Sequence, residues 1–246
     1  MAGITNETTD ALFEGRVKLL QSRLGYRVSV DALLLAAFVS IHRNERVVDL
    51  GAGNSVLCLA LAHWHPSALF TGIELQAAMV ERAQRNVRLN GLEERVKIIP
   101  GDLRNRKHLP PAGSFDVAVC NPPYRPPASG RISANDEKRI ARHELHGDIT
   151  AFLRAGAFLL RNKGRLALVF PAVRCVDAIS AMRLARIEPK RLRSVHSFHD
   201  SAASLVLLEG VKNGRAGVAV EKPLTIYRPD KEYTVEAATI IGGTGR

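Results

Sequence analysis

The stretch of the chain with the clearest chemical potential is "DVAVCNPPYRPP", residues 116–127. A run of apolar residues ends there in Asn121, Pro122, Pro123 and Tyr124. Two prolines end a strand, because each lacks a backbone N–H and fixes its own φ. The stretch could therefore be only a strand end followed by a turn. It also carries one carboxamide and one aromatic ring on a stiff backbone. Such an arrangement could hold a substrate group in a fixed orientation.

Glycines and carboxylates follow three other short apolar runs. They are Asp49, Gly51 and Gly53 in "DLGAGNSV", Glu74 after "LFTGI" and Asp102 after "RVKIIPG". The two glycines permit φ > 0 and close approach of a ligand to the backbone. The third glycine of a dinucleotide fingerprint is replaced by Val56, so that motif does not match. Glu74 could accept both hydroxyls of a ribose and Asp102 an adenine amino group; a solvated side chain and a turn residue are the respective alternatives.

Strand-like and helix-like stretches alternate from Glu45 onward. Strands are predicted at 46–50, 69–75, 95–102, 115–120, 165–171, 191–198 and 204–212, and helices at 55–65, 76–91, 149–164 and 172–186. This order predicts a doubly wound α/β fold with a seven-stranded, mostly parallel sheet and an antiparallel edge hairpin. We expect residues 1–44 to form an N-terminal extension packed on the core, and residues 45–246 to form a single compact domain.

In open α/β sheets, ligands bind beyond the carboxyl ends of the strands. The Gly-rich turn, Glu74, Asp102 and Asn121 follow four consecutive predicted strands, so we expect them to share one rim. An adenosine-bearing cofactor without a pyrophosphate fits these residues. S-adenosylmethionine (SAM) is the obvious candidate.

The successive motifs "DLGAGNSVLCLAL", "GIEL", "GD" and "NPPY" resemble those of class I SAM-dependent methyltransferases. The Asn-Pro-Pro-Tyr form resembles that of enzymes that methylate an amino group conjugated to a π-system. The resemblance implies a catalytic set and a cofactor set. The catalytic set is Asn121, Pro122, Pro123 and Tyr124, and the cofactor set is Asp49, Gly51, Gly53, Glu74, Leu75, Asp102, Leu103, Asn121, Tyr26 and Arg27.

The chemistry of such an amine explains why Asn-Pro-Pro-Tyr is suitable. An exocyclic amine delocalises its lone pair into the ring and is a poor nucleophile. The side-chain oxygen of Asn121 and the carbonyl of Pro122 could each accept one N–H bond, which favours a pyramidal nitrogen facing the methyl group. Tyr124 could stack on a flipped-out base, an interaction worth roughly 1–3 kcal/mol.

A second resemblance covers about Phe13 to Ala238 and rests on "GYRVSVDALLLAAFV" (25–39), "ARHE" (141–144), "VHSFHDSAASLVLLEGVK" (195–212) and "LTIYRPDKEYTVEA" (224–237). These stretches resemble the tRNA adenine N6-methyltransferases that modify the adenosine beside the anticodon of a valine tRNA. The resemblance implies that Tyr26, Arg27 and Asp31 lie over the methionine end of the cofactor. It also implies that Arg142, His143 and Glu144 support the loop 125–140; packing, a helix cap and a salt-bridged helix face are the alternatives.

One residue departs from the family pattern, which usually has glycine where this chain has Ser55. A serine at the start of a helix could act as its N-cap. It would also crowd the cofactor slightly.

The charge of the chain favours a polyanionic partner. Thirty-five Lys and Arg oppose 24 Asp and Glu, which gives a net charge of +11. An inert basic surface is the alternative. The basic run "RNKGR" (161–165) is a candidate RNA-binding face, and we expect Ala substitutions at Arg161, Lys163 and Arg165 to flatten the salt dependence of binding.

Cysteine spacing and hydropathy argue against several other classes of protein. The three cysteines are widely spaced without a C-x-x-C, so neither a disulfide framework nor a zinc site is indicated, and no metal is expected. No apolar run reaches membrane-spanning length, and "MAGITNETTD" lacks the order of a signal peptide. We therefore expect a cytoplasmic protein with no membrane partner.

The sequence leaves three functions open. Methylation of an RNA adenosine, with tRNA as the substrate, accounts for the motifs and the charge together. A protein glutamine methyltransferase acting on release factors could use the same four residues on an amide nitrogen. A non-catalytic RNA-binding module with a decayed cofactor site has Ser55 as its only support.

Overall fold

The computed structural model of the chain describes residues 7–23, 30–123 and 149–244. Within these ranges the strands are β1 Glu7–Leu12, β2 Val17–Ser22, β3 Arg46–Leu50, β4 Leu69–Glu74, β5 Val96–Pro100, β6 Phe115–Cys120, β7 Leu160–Pro171, β8 Ile187–His196, β9 Ala203–Lys212, β10 Ala219–Val220 and β11 Leu224–Thr225. The α-helices are α1 Val30–Phe38, α2 Val56–Trp64, α3 Ala77–Leu89, α4 Ile149–Leu159, α5 Cys175–Leu184 and α6 Val235–Gly242. Short 3-10 helices occupy Phe13–Gly15, Arg106–His108 and Ala172–Arg174.

The central sheet confirms the predicted fold class. Its seven long strands follow the order β5-β4-β3-β6-β7-β9-β8, and the two-residue strands β10 and β11 both pair with β8. Strands β3 to β7 are mutually parallel, whereas β9 is antiparallel to both β7 and β8. The predicted antiparallel hairpin therefore forms at this side of the sheet. Since β8 and β9 are joined without a helix, an antiparallel connection is the short route between them.

Successive residues of the central strands point into two separate apolar layers. In β3, Val47 contributes to the layer that contains α1, α2, α3 and α6, whereas Val48 contributes to the layer with α4 and α5. In β6, Val117 and Ala118 divide in the same way. This alternation is the consequence of the two-residue period of a strand. It explains why the central strands appear in the sequence as continuous apolar runs, since both faces are covered.

The predicted helix 149–164 is too long by five residues. The helix ends at Leu159, and β7 begins at the next residue. Leu160 pairs with Phe115, but the next paired residue of β7 is Arg165, opposite Val117. Residues 161–164 therefore bulge out of the sheet, and Gly164 lies in that bulge.

The N-terminal hairpin β1–β2 is held against α3 by polar side chains. Glu7 accepts hydrogen bonds from Arg82 at 2.9 Å and from Arg85 at 2.7 and 2.8 Å. Asn90, the C-cap of α3, accepts from the N–H of Lys18 at 2.8 Å and donates to its carbonyl at 2.7 Å. One side chain at the end of the helix thus satisfies both backbone groups of an edge-strand residue.

Candidate functional site

The strand register brings four predicted site segments to one edge of the sheet. Asp49 of β3 lies opposite Val119 of β6, so Gly51 and Asn121, each two residues further on, reach the same level. On the other side of β3, Leu50 pairs with Ile73, and Glu74 pairs with Pro100. The carboxyl ends of these parallel strands therefore form one rim, as predicted.

The Gly-rich turn between β3 and α2 approaches its neighbours closely. Gly51 has a φ of +75, and a β-carbon there would lie 2.9 Å from the ring of Phe152. Gly53 has a φ of +54, and a β-carbon there would have nothing within 4 Å. Gly51 is therefore favoured by both conformation and packing, whereas Gly53 is favoured by conformation alone and borders open space.

Glu74 ties this turn to the end of β4. The side chain is 3% exposed, one oxygen accepts the N–H of Gly53 at 2.8 Å, and the other accepts the N–H of Gln76 at 2.9 Å. Burial raises the pKa of Glu74, while these backbone hydrogen bonds oppose that shift. Each carboxylate oxygen retains a lone pair, so Glu74 could fix the turn and accept a ribose hydroxyl at once.

Asp49 is a buried carboxyl beside a buried thiol. The Sγ of Cys58 lies 3.6 Å from an oxygen of Asp49. Burial raises the pKa of Asp49 from 3.8 to about 7, with a smaller contribution from the charge of Glu74. The same burial and the neighbouring carboxylate raise the pKa of Cys58. A cation bound at the rim would favour the ionised form of Asp49.

This burial predicts a pH-dependent effect of replacing Asp49 by asparagine. Between pH 3.8 and about 7 the folded protein holds a proton that the unfolded chain releases, so the free energy of unfolding falls as pH rises. The variant lacks this titration and should gain about 3 kcal/mol on the wild type between about pH 5 and about pH 8. Chemical denaturation without cofactor at both pH values measures the difference. The exposed Asp200→Asn is the control for loss of a carboxylate, and an equal gain in both variants would contradict the assignment.

Ser55 does not cap α2, contrary to expectation. Its φ of 73 and ψ of 17 place it in the left-handed region, and its side chain makes no capping hydrogen bond. The residue is fully buried. The left-handed conformation, which a β-carbon disfavours, accounts for the glycine that is usual at this position.

The strain at Ser55 predicts that Ser55→Gly stabilises the fold. We expect the glycine variant to exceed Ser55→Ala by about 1 kcal/mol in free energy of unfolding, because only alanine keeps the β-carbon. Denaturant titrations of the three proteins provide the comparison. Equal stability of the glycine and alanine variants would show that the left-handed conformation costs nothing here.

Asp102 is engaged by its neighbour Arg104. The carboxylate accepts from the backbone N–H of Arg104 at 2.9 Å and from its guanidinium at 2.8 and 2.9 Å. The hydrogen bonds from that guanidinium lower the pKa of Asp102. The structure thus gives Asp102 the turn role considered above, and contact with an adenine amino group stays a prediction. Leu103 beside it is buried, and Leu75 after β4 is half-buried.

The predicted catalytic segment follows β6 directly. Asn121 and Pro123 are half-buried and Pro122 is buried, so Asn121 keeps part of its surface accessible at the rim. Asp31 lies in the first turn of α1. The remaining predicted site residues lie outside the described ranges; they are Tyr26, Arg27, Tyr124, Arg142, His143 and Glu144.

Asn86 of α3 is a rim-supporting residue that sequence reasoning missed. It is fully buried, and its side-chain nitrogen donates to the carbonyl of Asn54 at 2.9 Å and to that of Leu20 at 3.1 Å. Its oxygen accepts from the N–H of Leu20 at 2.6 Å. One amide therefore joins the Gly-rich turn to the N-terminal hairpin. A polar residue on the apolar face of α3 was the only sequence signal for this role.

The basic run 161–165 does not lie at the rim. Arg165 pairs with Val117 near the start of β6, whereas Asn121 follows the end of that strand. Arg161 forms an ion pair with Asp116 at 2.5 Å, and Arg165 forms one with Glu45 at 2.5 Å. The structure therefore does not favour this run as the RNA-binding face, and we now expect the triple Ala variant to keep the wild-type salt dependence.

Other basic residues do lie at the rim. Arg104, Arg106 and Lys107 follow β5, and Arg228 and Lys231 follow β11, and all five are exposed. Since β11 is parallel to β8, its carboxyl end faces the same way as that of β6. A polyanion approaching Asn121 would meet Arg104, Arg106 and Lys107, whereas Arg228 forms an ion pair with Asp230 at 3.2 Å.

Within residues 7–23, 30–123 and 149–244, no cluster of three or more His, Cys, Asp or Glu side chains is arranged to hold a metal ion. Among the helices of the same ranges, none combines the length and the apolar character that crossing a bilayer requires.

Comparison with known proteins places the site in a family context. The family model for the methyltransferase small domain matches residues 28–174. A tRNA1(Val) (adenine(37)-N6)-methyltransferase of Tolumonas auensis is 27% identical over 217 residues, which is 88% of each chain. Proteins with the same name from Dyadobacter fermentans and Shewanella halifaxensis are 29% and 33% identical to this chain. The Dyadobacter match covers 85% of this chain and 86% of the relative, and the Shewanella match covers 64% of each.

Solved structures with a similar fold are more distant in sequence. A predicted O-methyltransferase of Agrobacterium tumefaciens superposes with a TM-score of 0.74 at 23% identity, covering 87% of this chain and 97% of that one. The TYW2 protein of P. horikoshii, solved in complex with MeSAdo, gives a TM-score of 0.60 at 15% identity and covers 86% of this chain and 74% of that one. At these identities the similarity establishes the fold alone.

Proposed function

Because the chain belongs to the methyltransferase small domain family, we propose that it transfers the methyl group of SAM to the exocyclic amino group of an adenosine in tRNA. The protein is an enzyme of the SAM-dependent methyltransferase class. The adenosine acceptor rests on one observation above all: Asn121, Pro122 and Pro123 lie at the carboxyl rim beside the Gly-rich turn and Glu74. Relatives similar over most of the chain, named for adenine(37) of tRNA1(Val), support that adenosine as the target.

The rim fits the cofactor on structural grounds. Gly53 borders open space, and one oxygen of Glu74 accepts the hydrogen bond of its N–H. We assign the ribose hydroxyls to Glu74, the adenine ring to the neighbourhood of Leu75, Asp102 and Leu103, and the methionine portion to the Gly-rich turn and Asp49. When bound, SAM supplies an electrophilic methyl group.

The chain contributes orientation and hydrogen-bond acceptors to the reaction. The side-chain oxygen of Asn121 and the carbonyl of Pro122 accept the two N–H bonds of the amino group, which weakens its conjugation with the ring. Pro122 and Pro123 fix the backbone that carries both oxygens. No strong general base is needed, because the product nitrogen can lose its extra proton after transfer. Tyr124 stacks on the base in this proposal.

Methylation of purified RNA tests the proposal. The protein is incubated with labelled SAM and bulk tRNA from a strain that lacks the modification, and the nucleosides are separated after digestion. We expect label in N6-methyladenosine. Folded protein that binds tRNA and SAM but transfers no label would overturn the proposal.

A parallel incubation with a release factor distinguishes the amide alternative. The same four residues could act on a glutamine amide, so label in a glutamine of that protein, with none in tRNA, would replace the proposed substrate. The net charge of +11 and the basic residues at the rim favour RNA.

A further inference from the structure

Three aromatic side chains form a row beyond the carboxyl ends of β8 and β11. The ring centroids of Phe198 and Tyr227 are 5.8 Å apart, and those of Tyr227 and Tyr233 are 5.2 Å apart with an interplanar angle of 21°. We call these three side chains the aromatic row. Tyr233 ends the row and is 40% exposed.

The backbone around the row is firmly held. Tyr227 and Tyr233 face each other in an antiparallel bridge, and the N–H of Tyr227 donates to the carbonyl of Ser197 at 2.9 Å. The hydroxyl of Thr234 donates to the carbonyl of Thr225 at 2.7 Å. The rings are thus positioned before any ligand arrives, which lowers the entropic cost of stacking on them.

The row lies at the same edge of the sheet as the catalytic segment. Leu205 of β9 pairs both with Pro171 at the end of β7 and with Val195 of β8, and Val195 pairs with Leu224 of β11. Tyr227 is three residues beyond Leu224, past the rim. Four strand spacings separate β6 from β11, a distance of about 19 Å across the rim. A single strand of RNA with its target base at Asn121 would therefore reach the row with a flanking nucleotide a few positions from the target.

We propose that the aromatic row is a stacking surface for an unpaired base of the RNA substrate, at a nucleotide that flanks the methylated adenosine. This proposal rests on the proposed function. A base on the outer face of Tyr233 extends a stack that Phe198 and Tyr227 already begin. The turn between Tyr227 and Tyr233 carries no net charge, because it contains two basic and two acidic residues, Arg228, Lys231, Asp230 and Glu232. The surface therefore holds RNA by stacking, and phosphate contacts come from elsewhere on the rim.

Binding of an unmodified tRNA transcript to Tyr233 variants tests this surface. We expect Tyr233→Ala to raise the Kd about 10-fold, Tyr233→Leu to raise it nearly as much, and Tyr233→Phe to stay within about 2-fold of wild type. Because no phosphate contact is lost, the salt dependence of Kd should not change in any variant. Thermal unfolding and the Kd for SAM confirm that each variant is intact. Leu69→Ala, a 49% exposed residue at the start of β4 on the opposite edge, is the matched control.

The outcomes separate this surface from the proposed function. A wild-type protein that neither binds nor methylates tRNA overturns both. If the wild type methylates tRNA but Tyr233→Ala binds it equally well, the stacking surface alone is wrong. If Tyr233→Leu binds as well as Tyr233→Phe, simple apolar contact replaces stacking. Photo-crosslinking of wild-type protein to 5-bromouridine-containing tRNA gives a readout independent of variant folding; label should fall in residues 224–237, and label confined to other peptides contradicts the proposal.

Discussion

Asn121→Ala should lower the rate of methyl transfer by at least about 100-fold, because the amino group loses a rigidly placed acceptor that acts on the reacting nitrogen. Asn121 follows β6 at the rim, and the buried Pro122 fixes the backbone beside it. The loss should fall on kcat, measured with saturating tRNA and labelled SAM. The Kd for SAM should stay within a few-fold of wild type, since Glu74 and the Gly-rich turn are unchanged.

Two matched variants make the Asn121 result specific. Asn121→Asp keeps an acceptor oxygen in place and should retain more activity than the alanine variant. Asn162→Ala removes an exposed carboxamide at the opposite edge of the sheet and should behave as wild type. A near wild-type kcat for Asn121→Ala would remove the acceptor role from this side chain.

Glu74→Ala should weaken SAM binding about 100-fold and also destabilise the fold. The variant loses the acceptor assigned to the ribose, and it leaves the half-buried N–H groups of Gly53 and Gln76 without their partner, at a combined cost of about 1–3 kcal/mol. Calorimetric titration with SAM measures the affinity, and denaturant titration measures the free energy of unfolding.

The control for Glu74 is Glu93→Ala, which removes an exposed glutamate that follows α3. It should change neither SAM affinity nor stability. Because a destabilised variant could lose affinity through partial unfolding, Glu74→Gln is the second test: its amide must place a donor against one of the two N–H groups. SAM binding of a folded Glu74→Gln at wild-type affinity would contradict the assignment.

The fold could be predicted because its main signals are local. Apolar runs such as 46–50 and 115–120 end in glycine, proline or polar residues, and their order with the intervening helices fixes the class of sheet. The end of α4 could not be placed, because the chain passes from Leu159 to Leu160 without a change in polarity. That boundary depends on the pairing of Leu160 with Phe115, a contact between residues distant in sequence.

The candidate site was predictable where a strand end marked it. The positions of Asp49, Glu74 and Asn121 follow from the direction of parallel strands alone. The sequence did not predict which charged groups form ion pairs. Arg165 pairs with Glu45, which lies 120 residues away in the sequence. Ser55 was misassigned as a cap for a related reason: its left-handed conformation is set by the turn before it and not by its side chain.

Nucleoside mass spectrometry of tRNA from cells with and without this gene tests the central claim most directly. The proposed function predicts that N6-methyladenosine in a valine tRNA, beside the anticodon, is present with the gene, disappears without it, and returns with the wild-type gene but not with the Asn121→Ala variant. An unchanged level of N6-methyladenosine in the tRNA of the deletion strain would contradict it.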